Sequence, residues 1–260
     1  MSRYQNSAVP LSVSQNFLTS RSTINRLLRL TDITSADTVL EIGAGRGHIT
    51  RALLDRGCRV RAVELDRALY ERLATLLTGR PNLCLMQGDF FRLPLPAGPY
   101  KVFANIPFSR TTDILRRLTN AGNPPEEAWL VVEKGAAKRF CGKPHESLHS
   151  LLLKPFFDVE IVYYFRREDF HPAPRVDSVM LHLHRKPVPD IPVSARTLYR
   201  RFLEHSLRYG LSGGRALLTK RQAAAALRRA GLAPVSPFGD ILYVQWLCLF
   251  RCWRQMAAHL

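Results

Sequence analysis

The chain has 260 residues and a mass of 29.5 kDa, with 46% apolar and 23% charged side chains. These values exclude wholesale disorder and low-complexity architectures, and they allow one large domain with a small appendage. Charge is the outlier: 38 Lys plus Arg against 21 Asp plus Glu give +17 and a pI near 10.4, which points to a polyanionic partner such as nucleic acid or an anionic membrane surface.

The opening MSRYQNSAVPLSVSQNF has no apolar signal core, and the longest apolar candidate, Ile241 to Phe250, falls short of the ~20 residues of a membrane span. Five cysteines (Cys58, Cys84, Cys141, Cys248, Cys252) form an odd set without a C-x-x-C pair. This suits reduced thiols, and a cytosolic protein is expected. Apolar runs then alternate with helical patterns. Thr38–Ile42, Arg59–Val63, Leu83–Met86, Tyr100–Ala104 and Ala128–Val132 read as strands, with helical spacing over 49–56 and 67–77. Strand, helix, strand at this rhythm implies βαβ crossovers and a parallel, doubly wound sheet. Two late runs, 158–165 and 178–184, have no helix between them and read as a terminal antiparallel hairpin.

Three prolines in Arg185-Lys-Pro-Val-Pro-Asp-Ile-Pro192 mark a linker. Beyond it helices are predicted over 194–209, 220–230 and 240–257, with Gly210 and Gly231 as C-terminal caps and Asp240 as an N-cap. Residues 185–260 carry 13 basic and 3 acidic side chains, against 25 and 18 before them. The expected division is therefore a catalytic domain over 1–186 and a basic, all-helical nucleic-acid-binding domain over 187–260. No repeated apolar seam suggests self-association, and a monomer is expected.

The first predicted strand runs into Glu41-Ile-Gly43-Ala-Gly45-Arg-Gly47 and then a helix. Glycines let backbone approach a ligand where a Cβ would clash. A dinucleotide fingerprint would place its third glycine at position 48, which is His48. Glu64, closing the second strand, can accept hydrogen bonds from both hydroxyls of a ribose. Asp89, after the third, can accept from an adenine amine. Each also suits a helix N-cap or a solvated strand end, but on three successive strands they outline a pocket for an adenosine without phosphates, and S-adenosylmethionine fits it.

The fourth strand ends in Asn105-Ile106-Pro107-Phe108. An adenine amine is a poor nucleophile, because its lone pair is delocalised into the ring. The Asn105 side-chain oxygen and the Ile106 carbonyl can accept its two hydrogens, Pro107 fixes the backbone, and Phe108 can stack on the base. His145-Glu-Ser-Leu-His149 matches a zinc-protease pattern literally, with Glu168 as a distant third ligand, but Pro144 immediately precedes it and 143–155 leaves room for only a short helix. No metal is expected. His182 and His184 share a strand face and read as sheet surface.

Six motifs in order resemble the rRNA adenine N6-methyltransferases, and within them the Erm macrolide-resistance enzymes. They are Ser14-Gln15-Asn16-Phe17-Leu18, Glu41-Ile-Gly-Ala-Gly-Arg-Gly47, Glu64-Leu65-Asp66, Gly88-Asp89-Phe90, Asn105-Ile-Pro-Phe108 and Phe170-His-Pro172-Ala-Pro174-Arg-Val176-Asp-Ser178. The resemblance implies a class I, Rossmann-like methyltransferase domain. It places Gln15, Asn16, Leu18, Gly43, Gly45, Glu64, Leu65, Asp89, Phe90 and Asn105 on S-adenosylmethionine, and Phe108 and Phe170 at the target base.

It further implies transfer to an adenosine of 23S rRNA, with macrolide, lincosamide and streptogramin B resistance as the consequence. Lys134, Lys138, Arg139, Arg200, Arg201, Arg228 and Arg229 are offered as RNA contacts. KsgA/Dim-type small-subunit enzymes share most of the motifs. Phe108-Ser-Arg-Thr-Thr, Val131-Val-Glu-Lys-Gly-Ala-Ala-Lys-Arg139 and the arginine-loaded tail favour Erm. A non-catalytic RNA-binding relative and a DNA adenine methyltransferase are the remaining alternatives.

Overall fold

The structure is a computed structural model and describes residues 16–211, 215–235 and 240–257. Strand β1 (Phe17–Leu18) leads into helix α1 (Arg21–Arg29), whose N-terminus is capped by the Ser20 side chain accepting from the Thr23 N–H. There follow β2 (Thr38–Ile42), α2 (His48–Asp55), β3 (Arg59–Glu64), α3 (Arg67–Leu76), β4 (Leu83–Gln87), β5 (Lys101–Asn105), α4 (Thr111–Thr119) and β6 (Glu127–Glu133). Next come α5 (Lys134–Cys141), α6 (Leu148–Leu153), β7 (Phe157–Tyr164), β8 (Phe170–His171) and β9 (Ser178–Arg185). Helices α7 (Arg196–Tyr209), α8 (Lys220–Arg229) and α9 (Tyr243–Ala257) complete the series.

Seven strands form one sheet in the order β4-β3-β2-β5-β6-β9-β7, and β1 pairs with β8 in a separate two-stranded piece. Strand β2 pairs in parallel with β3 on one side and β5 on the other, and β3–β4 and β5–β6 are also parallel. The order therefore reverses between β2 and β5, where loops leaving the carboxyl ends diverge and open a crevice. The late hairpin is present. Phe165 N–H donates to the Ser178 carbonyl at 3.0 Å, and Lys186 N–H to the Phe156 carbonyl at 2.9 Å, a pairing that runs antiparallel.

Among the described residues, contacts gather into two compact units, one drawn from Met1–Lys134 and Ile161–His182, the other from Gly135–Glu160 and Leu183–Leu260. The core of the first joins Leu27, Leu53, Val60, Phe103, Trp129 and Met180, all near zero exposure. In the second, Tyr199, Phe202 and Phe250 pack edge-on or tilted, with ring centroids 4.8 and 5.6 Å apart.

Two local expectations are corrected. Asp240 does not cap α9, which begins at Tyr243; its carboxylate pairs with His145, and Gln245 Oε1 accepts the Leu242 N–H at 2.8 Å to close the first turn. His182 is not sheet surface. It stacks on Trp129 at 5.0 Å and meets the Glu127 carboxylate at 2.6 Å, so β9 uses it as a cross-strand tie to β6. Among the described residues no helix is long and apolar enough to cross a membrane.

Candidate active site

The crevice is built from the carboxyl ends of β2 to β5. The loop after β2 carries positive φ at Gly43, Gly45 and Gly47, a winding that side-chain-bearing residues resist. A Cβ at Gly45 would lie 2.9 Å from the Phe17 ring, and one at Gly47 would run into Leu73 Cδ2. At Gly43 a Cβ would meet nothing within 4 Å, so the backbone there faces open space.

Two buried carboxylates flank this loop. Glu64 accepts the Gly45 N–H on Oε2 at 2.6 Å and the Asp66 N–H on Oε1 at 2.9 Å, while Asp66, not Glu64, caps α3 by accepting from Leu69 N–H. A carboxylate has about four lone-pair sites, so each Glu64 oxygen retains a site for a ligand hydroxyl. Glu41 lies within β2 at 1% exposure. Burial pushes its carboxyl up to about 8, and the neighbouring Glu64 charge acts in the same direction.

Asp89 is no helix cap either: its Oδ1 accepts the Phe91 N–H at 2.9 Å in a tight turn. That turn buries Phe90, whose ring lies under the Arg117 guanidinium at 5.2 Å. Arg117 donates to the Phe91 and Leu93 carbonyls at 2.7 and 2.5 Å, so it splints the Asp89–Leu93 loop from α4. In the sequence Arg117 stands out only as half of an arginine pair.

Asn105 ends β5 half-buried. Its Nδ2 donates one N–H to the Asn16 carbonyl at 2.7 Å, which orients the amide and leaves Oδ1 as an acceptor. Ile106 is buried, and Pro107 and Phe108 are half-exposed. Phe108 packs on the core cluster that holds Leu18, Ala44 and Phe170. Phe170 itself is only 4% exposed and meets Phe165 at 5.1 Å. Leu65, by contrast, is exposed, and only its carbonyl is engaged, by Gln87 Nε2. Gln15 lies outside the described residues.

The rim carries a tie that no motif announces. Asp169 accepts from Thr23 Oγ1 at 2.7 Å and from the Arg166 N–H at 2.9 Å, and β1 lies on β8 through the registers Phe17↔His171 and Leu18↔Phe170. This is how Asn16 and Phe170, far apart in the chain, reach one neighbourhood.

A model of the family described as "Ribosomal RNA adenine dimethylase" matches residues 8–250. The chain belongs to that family. Within the family, an "rRNA adenine N-6-methyltransferase" of Lysinibacillus sphaericus is 32% identical over 95% of this chain and 97% of its own length. A "Ribosomal RNA small subunit methyltransferase A" of Synechococcus is 34% identical over 81% and 78%. The crystal structure of the 23S rRNA methyltransferase ErmE is similar at a TM-score of 0.79 and 30% identity, covering 92% of this chain and all of that one. A dimethyladenosine transferase from Plasmodium falciparum shares the fold at a TM-score of 0.65 and 22% identity.

The basic positions of this dimethylase-family chain differ in their surroundings. Lys134 pairs with Asp177 at 3.1 Å, whereas Lys138, Arg139, Arg201, Arg228 and Arg229 are exposed. Arg200 lies 3.7 Å from Glu204. The protease-like pattern is taken apart: His145 faces Asp240, and Glu146 accepts from Ser150 and Lys154, both His145 and Glu146 preceding α6.

Proposed function

We propose that this chain transfers a methyl group from S-adenosylmethionine to the exocyclic N6 of one flipped-out adenosine in large-subunit (23S) rRNA, adding one or two methyls. Methylation there would confer resistance to macrolide, lincosamide and streptogramin B antibiotics. The carrying observation is the Asn105 amide held by the Asn16 carbonyl, which aims an acceptor oxygen from the end of β5 where an amine hydrogen has to be received.

The crevice suits the cofactor. Open space against Gly43 admits the ligand to the backbone, and the remaining lone pairs of Glu64 suit ribose hydroxyls. Gln15, Asn16, Leu18, Gly45, Leu65, Asp89 and Phe90 complete the proposed cofactor site. When bound, S-adenosylmethionine supplies an electrophilic methyl group on a sulfonium. Asn105 Oδ1 and the Ile106 carbonyl accept the two amine hydrogens and localise the nitrogen lone pair. Pro107 fixes the backbone between them, the half-exposed Phe108 stacks on the base, and the buried Phe170 backs it as a wall. The surplus proton on the methylated nitrogen passes to solvent, so the reaction needs no protein base.

We assign residues 1–186 to catalysis and 187–260 to RNA binding in a monomeric, cytosolic protein. Lys134, Lys138, Arg139, Arg200, Arg201, Arg228 and Arg229 contact phosphates. The identity to a small-subunit methyltransferase favours one second reading, in which the target lies in small-subunit rRNA. Incubation with methyl-labelled S-adenosylmethionine and protein-free large- or small-subunit rRNA separates the two, with Asn105→Ala as control. Label in large-subunit RNA alone supports the proposal. Label in small-subunit RNA moves the chain to the second reading, and label in neither overturns both.

A further inference from the structure

A cavity of about 600 Å³ opens beside the glycine loop, lined by Arg46, His48, Arg51, Arg72, Thr75 and Leu76. It shares no lining residue with the cofactor site proposed above. Three guanidiniums and an imidazole converge on it without a carboxylate. The nearest acid in sequence, Glu71, is already bound to Arg67, Nε to Oε1 at 2.8 Å.

Each cation is placed differently. Arg51 is held at the start of α2, its Nε donating to the Gly47 carbonyl at 3.3 Å and an Nη 3.4 Å from His48 Nδ1. Arg46 lies over the Phe17 ring at 4.7 Å. Arg72 is exposed on α3, and none of the three pairs with a carboxylate among the described residues. The crowding of positive charge registers on His48, whose imidazole is held below its ordinary range by burial and then by Arg51 and Arg46.

Such a cluster costs the free protein stability, because like charges around one cavity repel. Arg72 and Thr75 are exposed, and Thr75 donates its hydroxyl to the Glu71 carbonyl. What the cluster offers a ligand is forked donors for oxyanions. The lining has no Phe, Tyr or Trp ring, its imidazole lies 3.4 Å from an Arg51 Nη, and it has one aliphatic side chain, so an apolar partner is not served.

We propose that Arg46, Arg51 and Arg72 form a cup for backbone phosphates of the RNA substrate, on the catalytic unit and distant in sequence from the basic helical segment. The proposal rests on the RNA substrate assigned under Proposed function. The cup contacts RNA without reading sequence and adds to the salt-dependent part of binding.

The test uses the full chain with Arg72→Gln, Arg46→Gln/Arg72→Gln and the charge-keeping Arg72→Lys, and a labelled 23S rRNA transcript titrated between about 50 and 200 mM salt. Each neutralised arginine is expected to flatten the slope of log affinity against log salt by about 0.7–0.9. The RNA KM should rise roughly 3- to 10-fold for the double variant, with kcat at saturating RNA unchanged, the pattern of lost uniform binding. Arg72→Lys should restore most of the slope. For Arg72→Gln, calorimetric affinity for S-adenosylmethionine should stay at the wild-type value, and thermal stability should be equal or higher.

An unchanged slope and KM in the double variant overturns the cup, as does a loss of cofactor affinity matching the loss of RNA affinity. The slope is read from binding and needs no turnover. A wild-type chain that binds rRNA but methylates none therefore sinks the proposed function while leaving the cup to be judged on its own result.

Discussion

The crevice at the ends of β2–β5 and the helical segment α7–α9 are built on opposite principles. In the crevice almost every polar group is already engaged by backbone: Glu64 by two N–H groups, Asp89 by one, Asn105 by a carbonyl. On the helices the arginines at 201, 228 and 229 are exposed to solvent. The first is preorganised to hold small groups at fixed positions, and the second supplies diffuse charge. Substitutions in the crevice should therefore act on rate or fold in an all-or-none way, and those on the helices should act by increments on affinity.

The largest expected effect tests the crevice directly. Asn105→Ala should lower kcat by about 10³-fold, ~4 kcal/mol of barrier, with the circular dichroism spectrum retained and cofactor affinity kept in part. A variant turning over at the wild-type rate would erase the contrast between the two regions.

Next comes Glu41, buried within β2 at 1% exposure. Its folded pKa of about 8 lies above the ordinary value of 4.5. The folded state therefore holds the proton more tightly, and the stability linked to it is full below pH ~4.5 and lost as pH rises through ~8. The loss is on the order of 5 kcal/mol. Denaturant melts of wild type and Glu41→Gln should diverge across this window, the variant keeping its stability at pH 8.

Gly47→Ala adds a Cβ that runs into Leu73 Cδ2 at φ +76°. It should cost roughly 2–3 kcal/mol, read as a lowered denaturation midpoint. On the helices, Arg228→Gln/Arg229→Gln should leave kcat alone and weaken RNA binding by about 5- to 20-fold, with the salt slope reduced by up to ~2. A fall in kcat there would blur the two regions. Smallest is Lys134→Met, which removes an exposed pair to Asp177 and should change stability by under about 1 kcal/mol in a thermal melt.

The same contrast explains what could be read from the chain alone. Thr38–Ile42 is legible to the residue, and β3–β6 to within one or two, because a buried parallel strand is a short apolar run between turn signals. Gly43, Glu64, Asp89 and Asn105 are legible as candidates because each sits at or just past the end of a strand. Asp240 misled because an acid before a helix is also free to pair at long range, here with His145. His182 misled because alternation along a strand cannot reveal Trp129 and Glu127 across it. Arg117, Asp169 and the cup at Arg46, Arg51 and Arg72 bring together segments that only the folded chain makes neighbours, and no spacing rule encodes that.

The bond from Thr23 to Asp169 spans 146 positions and lies beside the β1–β8 pairing that seats Asn16 and Phe170. During synthesis the segment bearing Asn105 leaves the ribosome well before Asp169 does, so the crevice stays without its rim until the late hairpin has emerged.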